Sequence, residues 1–197
     1  MSKGEETRSA VLTHALALAS RLGLDGVTIG LLADEVGLSK SGLFAHFKSK
    51  EALQVAILEE AASRFVAGVV SPALRKPRGE PRVRALYENW LQWIRSDFLP
   101  GGCIFIQAMV ELDDRPGPAR DRLVSTQRDW IDTLATAARI ARDEGHFRAD
   151  LDPEQLAQEL VQLADGYHLL ARTLRDPAID ERMMRAYERL LRDARGH

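Results

Sequence analysis

Most of the features that announce a chemistry are scarce in this chain. It has a single cysteine, Cys103, in 197 residues. One cysteine excludes an internal disulfide and a paired-thiolate metal site, and it suits a reducing compartment. There is no glycine-rich phosphate loop, no H-E-x-x-H pair and no nucleophile motif, so nothing marks an enzyme, a cofactor or a metal. No apolar run approaches the roughly 20 residues of a membrane span, and the N-terminus lacks the apolar core of an export signal. A cytoplasmic location away from membranes is the expectation. Charge of one sign is also missing: the net charge is −2. Taken whole, that does not announce a nucleic-acid binder, so the local distribution has to decide. Internal repeats and low-complexity tracts are absent as well.

What the chain does have is hydrophobic residues, 45% of the total, enough for a buried core. They recur at helical spacing between proline and glycine breaks, and no segment alternates as a strand would. The expectation is an all-α fold of about nine helices. Met1 to Glu6 reads as a tail. A first helix over 7–22 carries Val11, Leu12, Ala15, Leu16, Ala19 and Leu22 inward and ends at Gly23 and Gly26. Two short helices follow within 28–47. A longer one starts after Ser49, with Leu53, Ala56, Ile57, Ala61 and Phe65 inside, and should stop before Pro72. RKPRGEPR, residues 75–82, has linker composition. Further helices are expected from Pro81 to Phe98, 103–112, 119–144, from Asp152-Pro153 to Leu174, and 179–194. In the 153–174 helix, Leu156, Leu160, Leu163, Tyr167, Leu170 and Leu174 step by four and three, the seven-residue repeat of a helix packed along a partner.

Residues 28–53, TIGLLADEVGLSKSGLFAHFKSKEAL, say most about function. Thr28 can cap one helix and Ser39 the next. Leu32 and Val36 share a face, Ala33 is small where a second helix must cross, and Gly37 can take the positive φ of a tight turn. Leu43 and Phe47 anchor the second helix inward and turn Lys40, Ser41, Gly42, Phe44 and His46 outward. Ser49 caps a third helix with Lys50 in its first turn. This is a helix-turn-helix, which presents its second helix to the DNA major groove. Residues 38–50 hold Lys40, Lys48 and Lys50 and no acid. Residues 1–50 carry six Lys/Arg against five Asp/Glu, which leaves −3 on the remainder. The reading is a modest basic tip on an acidic body.

The short 39–47 helix would enter the groove by its N-terminal end. Lys40 would reach a base edge or a phosphate, Ser41 and Gly42 allow close approach, and His46, Lys50 and Thr28 face phosphates. A lysine in a first helical turn opposes the helix dipole, which makes an anionic contact for Lys50 the better explanation. One such head reads only a few base pairs, so a homodimer is required. The 153–174 stripe and the last helix supply its surface: Leu156, Leu160, Leu163, Gly166, Tyr167, Leu170, Leu174, Met184, Tyr187 and Leu191, with Gly166 permitting a close crossing. The same stripe can also face its own core.

The glycine turn, Ser39, the Ser41-Gly42 pair, Leu43, the aromatic Phe44 and FKSKEAL at 47–53 resemble the DNA-binding domain of the tetracycline-repressor (TetR) family. The likeness covers about the first quarter of the chain; beyond it, only length and helical layout correspond. It implies a DNA-binding head over 1–52, its last helix running on to about residue 71 as connector, and a regulatory and dimerisation body over 53–197. In the family, positions matching Thr28, Ser39, Ser41, Gly42, Phe44, His46 and Lys50 touch double-stranded DNA. Many members have tyrosine where this chain has Phe44, which leaves Phe44 to a thymine methyl or to the core. The resemblance also implies a repressor of a palindromic operator, released by a small-molecule effector in the body. Phe65, Trp90, Trp93, Phe105, Met109, Trp130 and Tyr167 are the candidate effector contacts, and they favour an apolar or aromatic compound. The competing readings are a helical adaptor protein and an all-helical enzyme. Three other features read as structural: Cys103 as buried, Asp165 and His168 as a polar pair at the dimer seam, and Glu111, Asp113 and Asp114 as a solvated loop.

Overall fold

The computed structural model describes residues 3–196. Among these no strand occurs. The helices are α1 (Lys3–Gly26), α2 (Ile29–Val36), α3 (Lys40–Phe47), α4 (Lys50–Phe65), α5 (Ser71–Leu74), α6 (Glu80–Trp93), α7 (Ile104–Leu112), α8 (Pro118–Asp143), α9 (Pro153–Leu174) and α10 (Ala178–Arg195). A π turn, Val66–Val70, joins α4 to α5. With the consecutive helical segments from 50 to 74 counted once, there are nine helices among the described residues.

Several boundaries correct the sequence reading. Met1 and Ser2 of the expected tail lie outside the described residues, but Lys3 to Glu6 are helical. Glu5 and Glu6 in the first turn suit the positive end of the helix dipole. Leu22 is about half exposed rather than inward, because the helix breaks at Gly23 (φ 77°, ψ 169°) just beyond it. Pro72 does not stop the connector: it sits in the first turn of α5, where its missing N–H breaks no helical bond. Part of the expected 75–82 linker is already α6. That helix ends at Trp93 instead of Phe98, where Ser96 turns the chain by donating from N and Oγ to the Trp93 carbonyl (3.2 and 2.6 Å).

Two compact units result. The first comprises residues up to 66 together with 93–126. In it α1 packs on α2, α4 and α7, and Val11, Leu12, Ala15, Leu16 and Ala19 meet a core that includes Leu32, Leu43, Leu53 and Ile57. The break at Gly23 leaves the next amides without helical acceptors. Glu111 of α7 replaces those acceptors: its carboxylate accepts from the N–H groups of Leu24 (2.7 Å) and Asp25 (3.4 Å). Glu111 is therefore a structural cap, not part of a solvated loop. Gln107 adds a bond from Nε2 to the Ser20 carbonyl (2.5 Å), and Ser20 Oγ accepts from Gly101 N (3.0 Å).

The second unit comprises 67–92 and 127 onward. Here α9 packs against α10, and the Tyr87 and Tyr187 rings stack at 4.2 Å. Arg84 forks onto Glu188 (2.7 and 3.0 Å) and reaches Glu80 with Nε (2.7 Å); Glu80 also accepts from Arg195. Asn89 Nδ2 donates to the Val69 carbonyl (2.9 Å), so a side chain serves the irregular π turn. No described helix is long and apolar enough to cross a membrane.

Candidate nucleic-acid interface

The head is built by three serine or threonine caps. Thr28 Oγ1 accepts from Leu31 N (3.1 Å), Ser39 Oγ from Gly42 N (3.1 Å) and Ser49 Oγ from Ala52 N (3.0 Å). Each fixes a helix start; the Thr28 and Ser49 hydroxyls keep a proton to donate outward, while Ser39 Oγ also shares a hydrogen bond with Ser41 Oγ (3.2 Å). Gly37 takes the expected left-handed turn (φ 68°) between α2 and α3. Ala33, Leu43 and Phe47 are buried, and Arg8 lies over the Phe47 ring (5.4 Å). That anchoring presents the rest of α3 outward: Ser39, Lys40, Ser41, Gly42 and Phe44 are exposed and His46 is half-buried. Phe44, at 54% exposure, is not a core residue.

Two features were not visible in the sequence. Lys40 folds over the start of α2: a Cβ built on Gly30 would stand 3.5 Å from Lys40 Cε, 3.6 Å from its Nζ and 3.9 Å from Thr28 Oγ1. An ammonium, a hydroxyl and the open N-terminus of α2 thus converge, a combination suited to a phosphate. Gly30 is the residue that leaves room for it, and its only sequence signal is a lack of side chain at the second helical position. Lys50, in contrast, already has an anion. Its Nζ lies 3.1 Å from Asp25 Oδ1. Arg115 binds the other oxygen, and Gln54 Nε2 donates to Oδ1 (3.2 Å). Arg115 first, then Lys50, hold the Asp25 carboxyl below the usual carboxylate range. The unfavourable place of Lys50 at a helix start therefore has an internal explanation.

The seven candidate effector contacts divide between the units. Phe65, Trp93 and Phe105 come together in the first, with Phe65 edge-on to Trp93 (5.3 Å) and to Phe105 (5.9 Å). Phe98 joins them, edge-on to Trp93 at 5.3 Å. Met109 lies half-buried in the same unit. Trp90 belongs to the second unit beside Tyr87 (6.0 Å), as do buried Trp130 and Tyr167. Two open clefts of the second unit are lined by other residues. One, of about 610 Å³, has Lys76, Glu80, Arg84, Glu88 and His146; the other, of about 430 Å³, has Val70, Leu74, Asp129, Asp132 and Ile140.

The α9 stripe splits along its length. Leu156, Leu160 and Tyr167 are buried inside the unit, as are Tyr187 and Leu191 of α10, and Leu163 is intermediate. Leu169, Leu170, Leu174 and Met184 are exposed, between 39% and 61%. Gly166 faces open space, with nothing within 4 Å of a Cβ built on it. Asp165 and His168 do not bond each other: burial alone raises the Asp165 pKa to about 6, while burial and then Arg172 lower that of His168 to about 4. Cys103 is buried.

Comparison with known proteins bears on both halves of the chain. Residues 11–57 match the family described as bacterial regulatory proteins, tetR family, and residues 79–187 match the tetracyclin repressor-like C-terminal domain. The HTH-type transcriptional repressor NemR of Escherichia coli strain K12 is 25% identical over 172 residues, 86% of either chain. The tetracycline repressor protein class C of Escherichia coli is 40% identical over 52 residues, 26% of this chain and 24% of that one. A TetR transcriptional regulator from Chloroflexus aurantiacus J-10-FL superposes with a TM-score of 0.82 at 28% identity, covering 97% of this chain and 95% of that one.

Proposed function

This chain belongs to the tetR family of bacterial regulatory proteins, a DNA-binding transcriptional regulator and not an enzyme, and on that premise we propose that it is a cytoplasmic homodimeric repressor released by a small molecule. The head over 1–52 docks α3 in the major groove. Thr28, Ser39, Lys40, Ser41, Gly42, Phe44, His46 and Lys50 make its contacts. The observation that carries the reading is the meeting of Lys40 and Thr28 over Gly30, beside the exposed face of α3. Phosphates fix the register there while Ser41, Gly42 and Phe44 face base edges. Phe44, exposed and without a hydroxyl, suits a thymine methyl.

Two heads are paired through Leu169, Leu170, Leu174 and Met184, where the open space at Gly166 lets a second α9 approach closely. The effector binds in the body over 53–197 and changes how the two heads are held. Release from DNA, rather than recruitment to it, follows the relatives named as repressors.

Gel shifts against genomic fragments, starting with the DNA upstream of the chain's own gene, test the reading. A sequence-specific complex is expected, containing two chains per operator. Lys40→Ala should weaken binding on every sequence and flatten the dependence of log K on log salt by about one ion per head. No specific complex with any fragment at low salt would falsify the regulator reading, and an unchanged salt slope removes Lys40 from the phosphate contacts.

A further inference from the structure

We propose that Arg115 sets the DNA affinity of the head from outside it, by holding Asp25 so that Lys50 can leave for a phosphate. The proposal deepens the reading of Lys50 as a phosphate contact and rests on it.

The Asp25 carboxylate has more partners than it needs. Oδ2 accepts from Arg115, while Oδ1 accepts from Gln54 Nε2 (3.2 Å) and lies 3.1 Å from Lys50 Nζ. One negative charge is shared by two cations and by the amide of buried Gln54. When Lys50 departs, both oxygens keep a donor, so the carboxylate is not left bare. If Lys50 were the only cation, its departure would cost the whole ion pair. Lys50 is also the member placed for exchange. It opens α4 next to the Ser49 cap, with its side chain 47% exposed.

Arg115 is not part of the 1–52 head. It follows α7, in a turn closed by its N–H to the Leu112 carbonyl (3.3 Å). The end of α7 therefore grips one point twice. Glu111 accepts from the Leu24 and Asp25 amides, which fixes the Asp25 backbone, and Arg115 takes the side chain. A displacement of that end withdraws Arg115 and leaves Lys50 as the sole cation on Asp25. DNA is then bound less tightly, although no DNA-facing residue has changed. In this account Arg115 is a positioning residue and touches no DNA. Its side chain is 60% exposed, so the rival account is a direct phosphate contact.

Fluorescence anisotropy with random-sequence duplex DNA at low salt reads the effect in the full chain without requiring the operator. Arg115→Gln reproduces the withdrawal and should weaken binding about threefold per head, hence roughly tenfold for a dimer engaging both, as expected for an exposed ion pair. Arg115→Lys keeps a cation and should recover most of that loss. Asp25→Asn should strengthen binding by a similar factor, and Asp25→Ala should do the same. Adding Arg115→Gln to either should change nothing further, because the group through which Arg115 acts is gone. An Arg115→Gln chain that binds as tightly as the unaltered one overturns the proposal. Equal losses from Arg115→Gln with and without the Asp25 carboxylate also overturn it, since Arg115 then acts on DNA directly or disturbs the head by another route. Lys50→Ala tells the two levels apart. If it weakens binding while the Arg115 and Asp25 effects simply add, only the role of Arg115 fails. If it leaves binding unchanged, the phosphate contact of Lys50 fails and the role of Arg115 with it.

Discussion

Asp165 and His168 sit one turn apart on α9 and shift in opposite directions. The Asp165 carboxyl is raised from 3.8 to about 6 by burial. A raised acid binds its proton more tightly when folded, so its stabilisation is complete below the unfolded value and is lost as pH rises to about 6. His168 is lowered from 6.5 to about 4. A lowered histidine resists its proton when folded, so its stabilisation is complete above the unfolded value and is lost as pH falls towards 4. Between pH 4 and 6 the two slopes oppose, and the unaltered chain should show a nearly flat urea midpoint there. Asp165→Asn should leave a midpoint that climbs from pH 4 to 6.5, by up to roughly 3 kcal/mol, and His168→Gln one that falls between 4 and 6. Parallel profiles for all three chains would show that neither group titrates on unfolding. The sequence placed these two residues side by side, but their burial, and hence the sign of each shift, came only with the packing of α9.

At the scale of elements, the weak point of α1 is the break at Gly23, and its repair comes from α7. Glu111→Ala removes the acceptor for the Leu24 and Asp25 amides, and the cost expected for orphaned buried donors is about 1–3 kcal/mol. Glu111→Gln keeps a carbonyl oxygen and should recover part of that loss. Urea unfolding monitored by tryptophan fluorescence measures both; an unchanged midpoint for Glu111→Ala would show that water serves the amides as well. The comparison marks what a sequence can show. Thr28, Ser39 and Ser49 were legible as caps because a cap acts on an amide three residues away. Glu111 was not, because its partner is 87 residues distant and no local pattern encodes that meeting. The same holds for Arg84 with Glu188 and for Lys50 with Asp25, pairs made by packing rather than by spacing. Helix α6 was overextended for a related reason: Ile94 and Phe98 continue its apolar period while Ser96 turns the backbone away.

For the whole molecule, pairing is the property on which the proposed function turns. The seven-residue stripe of α9 was plain in the sequence, yet its division was not. The same spacing serves an own core at Leu156 and Leu160 and an open face at Leu170 and Leu174. Only the tertiary structure separates the two, since both halves are equally apolar. Leu170→Glu combined with Leu174→Glu places carboxylates on that face and should give monomers by sedimentation, with the helical circular dichroism unchanged. Persistent dimers would move the interface elsewhere. In the head, the α3 face was legible from anchors and caps, whereas the state of Lys50 was not. Its ion pair with Asp25 has a consequence for the search across a genome. On the proposed docking, a lysine that reaches a phosphate must first leave its own carboxylate, so each head has one fewer ready cation on arbitrary DNA. A regulator competes with roughly 10⁶–10⁹ non-specific sites. Asp25, by lowering the attraction to all of them alike, leaves more free dimer for the few sequences whose base edges repay a close fit.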